Sequence, residues 1–364
     1  MPLPFDVVFM ITHFLDRHHV LPYMQTCRTL YFSCVHILLR SPVILTQNQS
    51  VASFHQFMQA DTSTRFPLLR KLRLDLIESP SSDSLDRIAE ILALAANLED
   101  LDLNVLGDTI CRRGFVFVNA LTRLTRFKAV MSDNTLPELL SQLKSPLAVA
   151  DLQYMPSGPA ISPAIDDPIS VLSPFRLTLE TLRIHDVETI NPDVVFPRVR
   201  CLTLSSAYMT SLQPFVSICP NLRELHLDGS QLDYVAWING TTLDRIREGN
   251  KVQQEARHWP RLDRLSGSFL QMAFYGIVSP AEELVLEDVM WNTDWDPNLH
   301  TVVNEVRPSR LVLHVQVRNT MVLPPELLPT PQSFAYLHIS MKIPSRSLSN
   351  DDLVIYLVRT FGRF

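Results

Sequence analysis

The chain is poor in glycine, with nine among 364 residues. It contains no GxGxxG pattern and no P-loop, the glycine-rich arrangements that let a backbone approach phosphates closely. HExxH, GxSxG and CxxC pairs are also missing. The five cysteines, Cys27, Cys34, Cys111, Cys201 and Cys219, are odd in number and scattered. That usage points to free or buried thiols in a reducing compartment rather than to a disulfide framework. No run of 18 apolar residues predicts a membrane span. No basic region followed by a clean apolar stretch predicts a signal peptide, because Asp6, His13 and Asp16 interrupt the first segment. The net charge of −6 gives no basic balance to suggest nucleic acid. His13, His18, His19 and His36 near Cys27 and Cys34 lack metal-ligand spacing. No cofactor and no metal are expected. A hydrolase or transferase site assembled from distant residues is the weakest of three readings, and nothing in the sequence motivates it.

What the chain has is apolar mass. Hydrophobic residues are 46 % and charged residues 19 %, enough for a large packed core. From residue 66 onward the apolar residues repeat as leucine, two residues, leucine, one residue, leucine. Clear copies are Leu69-Leu72-Leu74, Leu98-Leu101-Leu103, Leu179-Leu182-Ile184, Val199-Leu202-Leu204 and Leu222-Leu225-Leu227. Weaker copies centre on Phe127, Ala150, Leu265, Leu284, Leu311 and Leu337. The centres lie about 26 residues apart, within the window of leucine-rich repeats. Several copies follow a proline, as in Phe66-Pro67, Phe196-Pro197, Cys219-Pro220 and Trp259-Pro260.

Alternating leucines predict one buried face of a short strand. The residues between strands return as a helix or irregular arm. One such arm is predicted from Ser84 to Asn97, with Leu85, Ile88, Leu92 and Ala96 on one stripe behind a serine cap. Stacked units bury a core that no single repeat could. The pattern is degenerate, since Ser230 and Ala207 stand where the repeat expects Asn or Cys. Two intervals hold insertions, at 155–174 and 229–260. The first, with five prolines, reads as a long surface loop, or else as a linker between domains. The second has room for an extra helix.

The first residues differ from the repeats. Leu3 and Pro4 precede Asp6, which complements the positive end of a helix dipole. Val7, Val8, Ile11 and Leu15 recur at helical spacing. Two further helical segments are expected, from Val20 to Cys27 and from Arg28 to Leu39. Pro22 fits the former only in its first turn. Leu30, Cys34 and Leu38 should form the buried stripe of the latter. A short connecting helix is expected over 51–60. Three helices in about forty residues cannot sustain themselves and should lean on a partner or on the next domain.

This opening resembles the F-box: Leu3-Pro4-x-Asp6-Val7-Val8-x-x-Ile11-x-x-x-Leu15 matches the family's opening without a gap, and Cys27-Arg28-x-Leu30-Tyr31 matches its later pattern. Leu30 replaces the family's frequent aromatic residue. The whole chain looks like the fungal F-box proteins with degenerate leucine-rich repeats. The resemblance implies an α/β architecture, an N-terminal three-helix F-box followed by an irregular leucine-rich-repeat solenoid. Its curved parallel sheet would carry helices and loops on the convex side. The implied divisions are an F-box-like domain at 1–45, a connecting helix at 46–65, repeats at 66–345 and a C-terminal cap at 346–364.

It further implies a substrate-recognition subunit of a cullin-type ubiquitin ligase that performs no chemistry and resides in the cytoplasm or nucleus. Leu3, Pro4, Val7, Val8, Ile11, Leu15 and Leu21 would bind an S-phase-kinase-associated adaptor, and through it a cullin. The repeats would hold an unidentified target protein, with no nucleic acid and no membrane involved. The alternatives are a plain helical cap on the repeats and a binding scaffold without ligase association. Residues between the repeat leucines should face outward, with signs that alternate as in a salt-bridge ladder. The target face is expected at Arg183, His185, Glu224, His226 and Asp228, beside an aromatic group that includes Tyr234, Trp237, Trp259, Trp291 and Trp295. Trp237 and Trp291 are its expected anchors.

Overall fold

The computed structural model describes residues 4, 7, 10, 14, 17–60, 64–104, 120–131, 135–154, 167–185, 193–205, 211–228, 240–291, 298–317 and 335–342. The protein is α/β. The chain divides into two compact units, Met1–Leu179 and Glu180–Phe364, each built on parallel strands.

In the first unit, helices α1 (Arg17–Met24) and α2 (Arg28–Arg40) precede β1 (Val43–Leu45) and α3 (Asn48–Gln59). Then follow β2 (Lys71–Leu74), α4 (Ser82–Leu94), β3 (Asp100–Leu103), β4 (Arg126–Met131), α5 (Thr135–Gln142), β5 (Val149–Tyr154) and α6 (Pro168–Val171). The strands pair in chain order, with Val43, Leu72, Leu101, Phe127 and Ala150 in register. All five are buried. At the strand entries one carbonyl serves two amides. Arg70 O accepts from Glu99 N and Asp100 N, Glu99 O from Thr125 N and Arg126 N, and Thr125 O from Ala148 N and Val149 N.

The second unit runs β6 (Thr181–His185), β7 (Cys201–Ser205), α7 (Gln213–Ile218), β8 (Glu224–Asp228), α8 (Gly240–Ala256) and β9 (Leu262–Ser268). It continues with α9 (Phe269–Tyr275), β10 (Ala281–Trp291), α10 (Asn298–Val306), β11 (Arg310–Val317) and β12 (Tyr336–Lys342). Leu182, Leu202, Leu225, Leu265, Leu284, Leu311 and Leu337 share one register line. The first six are buried and Leu337 is half-buried. All eleven repeat centres read from the sequence therefore occupy equivalent strand positions. Val43 in β1 adds a twelfth that the leucine pattern did not mark.

One side-chain clasp between consecutive repeats recurs in both units. Asn97 donates through Nδ2 to Pro67 O at 2.8 Å, and Arg70 returns a bond to Asn97 O at 3.2 Å. Asn221 donates to Pro197 O at 3.0 Å, and Arg200 donates to Asn221 O at 2.6 Å. The proline that introduces a repeat thus presents its carbonyl, an acceptor left unpaired by the turn, to the next repeat's asparagine.

The arms depart from the sequence reading in detail. Helix α4 begins one turn earlier than expected and is capped by Ser81, whose Oγ accepts from Ser84 N at 3.2 Å. It buries Leu85, Ile88, Ile91 and Leu92, while Ala96 lies beyond its end and is exposed. Helix α3 starts at Asn48 and buries Val51 and Met58. Pro22 is the sixth residue of α1, not in its first turn, so this helix lacks one amide in its interior. Helix α2 buries Ser33, Cys34, Val35 and Leu39, a stripe rotated from the expected Leu30-Cys34-Leu38 line. Arg65 explains that rotation. Its side chain lies 3 % exposed, donates to Tyr31 Oη at 2.9 Å and to Phe57 O at 2.7 Å, and stacks on both rings.

The insertions also differ. Residues 155–166 lie outside the described residues. The rest of the first insertion is not an open loop, because α6 and the 3₁₀ turn Ser173–Phe175 bury Ile169, Leu172 and Phe175. The second insertion does hold a helix, α8. Its buried positions are polar: Arg247, Asn250 and Gln254. Arg247 Nη2 meets Glu305 Oε2 at 2.6 Å, and Lys251 Nζ meets Glu305 Oε1 at 3.0 Å. Gln254 Nε2 donates to the carbonyls of Tyr275 and Gly276, and Asn250 donates to Phe274 O. These are the carbonyls at the end of α9, which a helix terminus leaves without partners.

Candidate functional site

Residues between the buried leucines form the outward face of the strands, and in each unit that face is organised in rows across neighbouring strands. In the first unit one row reads Lys71, Asp100, Arg126 and the next Arg73, Asp102, Lys128, Asp151. Charges alternate along both. Arg73 Nε lies 3.5 Å from Asp102, Arg126 Nε 3.9 Å from Asp100 and Lys128 Nζ 3.8 Å from Asp151. Arg73 also meets Asp75 at 3.0 Å, and Asn104 donates to Asp75 Oδ1 at 2.8 Å. Burial raises the carboxyls of Asp100 and Asp102 above their ordinary range. For Asp100, Arg126 and Lys71 only partly offset it. For Asp102, Lys128 and Arg73 oppose burial while Asp151 and Asp100 add to it. Asp102 Oδ1 has no hydrogen-bond partner. Asp151 is itself buried rather than turned to solvent. Most charges of this face meet an opposite charge on a neighbouring strand.

In the second unit the first row reads Thr181, Cys201, Glu224, Arg264, Glu283, Arg310 and Tyr336. It also closes on itself. Glu283 receives Arg264 at 3.5 Å and Arg310 at 3.8 Å, and the Arg310 guanidinium sits 5.2 Å from the Tyr336 ring centre. The Cys201 thiol is pushed up, first by burial and then by the Glu224 charge beside it. The second row is Arg183, Thr203, His226, Ser266, Val285, Val312 and His338. It contains no carboxylate. Arg183 is exposed, and His226 Nδ1 shares a 2.9 Å hydrogen bond with Ser266 Oγ. A third line holds His185, Ser205 and Asp228, with Ser205 Oγ 3.4 Å from Asp228 Oδ2. Ser205 is buried.

The five strand residues expected at the target face, Arg183, His185, Glu224, His226 and Asp228, therefore lie on one face of β6 and β8, on either side of β7. Their aromatic companions divide. Trp259 is no surface anchor: it is fully buried and its indole N–H donates to Cys219 O at 2.9 Å. Trp291 ends β10 opposite Val317, and its side chain lies outside the described residues. Tyr234, Trp237 and Trp295 fall outside as well.

Of the residues expected to bind an adaptor, Pro4 is exposed, Val7 is half-buried and Leu21 is 54 % exposed. Leu3, Val8, Ile11 and Leu15 lie outside the described residues. Further large apolar side chains that the helical stripe did not include are exposed in the described residues of this segment. Met10 is 58 % and Phe14 89 % exposed, and Tyr23 and Phe32 are also open to solvent. The signal was present: residues 7, 8, 10, 11, 14 and 15 share one broad face of a helical wheel, wider than the stripe of Val7, Val8, Ile11 and Leu15 alone.

Among the described residues no group of three or more His, Cys, Asp or Glu could hold a metal ion. No helix among them is long and apolar enough to cross a membrane. No protein-family model matches the chain, and a search of curated proteins returned no match.

Proposed function

We propose that this protein is the substrate-recognition subunit of a cullin-type (SCF) ubiquitin ligase. Its N-terminal helices would act as an F-box and its strands as a leucine-rich-repeat solenoid. The observation that carries the reading is the exposure of five large apolar side chains, Met10, Phe14, Leu21, Tyr23 and Phe32, within the segment that resembles the F-box. Exposed apolar groups of this kind suit protein docking. The S-phase-kinase-associated adaptor covers this surface and bridges to a cullin, while the outward strand face holds the target. The protein itself performs no chemistry. It raises the local concentration of target lysines near a charged ubiquitin carrier.

The test is co-purification of the adaptor with the full chain. Ile11→Asp or Leu15→Asp abolishes capture, because a charge then enters an apolar contact. Phe14→Asp does the same at an exposed position where folding is unaffected. Unchanged capture in all three variants overturns the reading. A binding scaffold without ligase association is the second reading. Pro22 inside α1 favours it, since that helix departs from an uninterrupted docking helix.

A further inference from the structure

The second row of β6–β9 stands apart from every other row on the outward faces. Rows one and two of the first unit and row one of the second alternate in sign, and each holds at least one carboxylate paired with a neighbouring cation. Row two of the second unit brings Arg183, Thr203, His226 and Ser266 side by side on four consecutive strands with no carboxylate among them. Arg183 makes no ion pair among the described residues, although the exposed position leaves its fork open. Neighbouring strands lie about 4.8 Å apart, so an arginine side chain at 183 is long enough to reach above Thr203 toward His226. Ser266 engages Nδ1 of His226 and leaves Nε2 as the ring nitrogen for a partner.

We propose that this row anchors one carboxylate side chain of the protein target. The carboxylate sits in the Arg183 fork above Thr203, and His226 Nε2 contacts it from the next strand. A planar guanidinium matches a carboxylate through two parallel hydrogen bonds. The flanking charges select the carboxylate over a phosphate. Glu224 and Asp228 bracket His226 along β8. Arg264 stands opposite Glu224 in register, so the repulsion comes chiefly from Asp228, and it weighs more on a dianion than on a monoanion. Ser266, at 6 % exposure, positions the imidazole rather than touching the ligand.

The inference rests on reading the strand face as the target-binding surface and does not require adaptor docking. Its test therefore reads peptide capture, not adaptor capture, and the two fail separately. The full chain is applied to arrays of twelve-residue peptides, randomised at every position but a central Glu, Gln or phosphoserine. Glu peptides are captured above Gln peptides. Arg183→Gln lowers the Glu signal about tenfold, and His226→Ala lowers it less. Arg126→Gln, in the strand face of the first unit, leaves it unchanged. Matching thermal midpoints show that the variants are folded. Equal capture of Glu and Gln peptides overturns the proposal. So does a Glu preference that persists in Arg183→Gln, or a preference for phosphoserine over Glu.

Discussion

The two units share a strand pattern and differ in what packs around it. In the first, α4 is held by Leu85, Ile88, Ile91 and Leu92. In the second, α8 is held by Arg247, Asn250 and Gln254. The strand faces differ too, since every charged row of the first contains a carboxylate and one row of the second contains none. The strand core can tolerate either kind of arm because both units bury an apolar register line, mixed in the first and all leucine in the second. The variation is therefore free to fall on surfaces where a partner could be recognised.

The largest expected effect breaks the polar arm. Glu305→Ala leaves Arg247 and Lys251 without their shared carboxylate and should cost about 3–5 kcal/mol, read from urea unfolding. A loss under about 1 kcal/mol would mean that α8 is not held by charge, and the contrast between the arms would fail. Next come Leu101→Ala and Leu225→Ala, one in each unit. Each should cost about 2–5 kcal/mol, with amide protection falling in the strands on either side. Unequal costs would show that the two register lines are not equivalent.

The smallest effect concerns Asp102. Burial holds its carboxyl above the ordinary range in the fold, so the folded state binds the proton more tightly than the unfolded chain. Ionised Asp102 therefore destabilises the protein at neutral pH, and the penalty disappears as the pH falls through the carboxylate range. Asp102→Asn should raise neutral-pH stability by about 0.5 kcal/mol, an advantage that vanishes in acid. A loss at neutral pH would show that the charges of Lys128 and Arg73 outweigh burial.

The strands were legible because a leucine alternation repeated eleven times averages out its own faults; even Ala150, a weak copy, falls on the register line. Val43 escaped because a strand of three residues behind Pro42 has no room to alternate. Helix α8 could be placed only as room in an insertion, since a helix buried through Arg247, Asn250 and Gln254 shows no apolar period. The Asn97 and Asn221 clasps were missed because a single asparagine per repeat looks like any turn residue until its proline partner is known. The strand half of the candidate site followed from outward phase alone. Its selectivity did not, because the absence of a carboxylate in one row is visible only when the register aligns four strands.

The Arg65 contacts have a consequence for synthesis. Tyr31, Phe57 and Leu39 receive their partners from Arg65 and Arg70, which follow them in the chain. Helices α1 and α2 therefore leave the ribosome before the residues that seat them. At about 5–20 residues per second, the stretch from residue 40 to the end of β2 takes about 2–7 s to make. Throughout that interval the buried side of α2, with Cys34, Val35 and Leu39, is uncovered, an apolar stripe of the kind that chaperones shield.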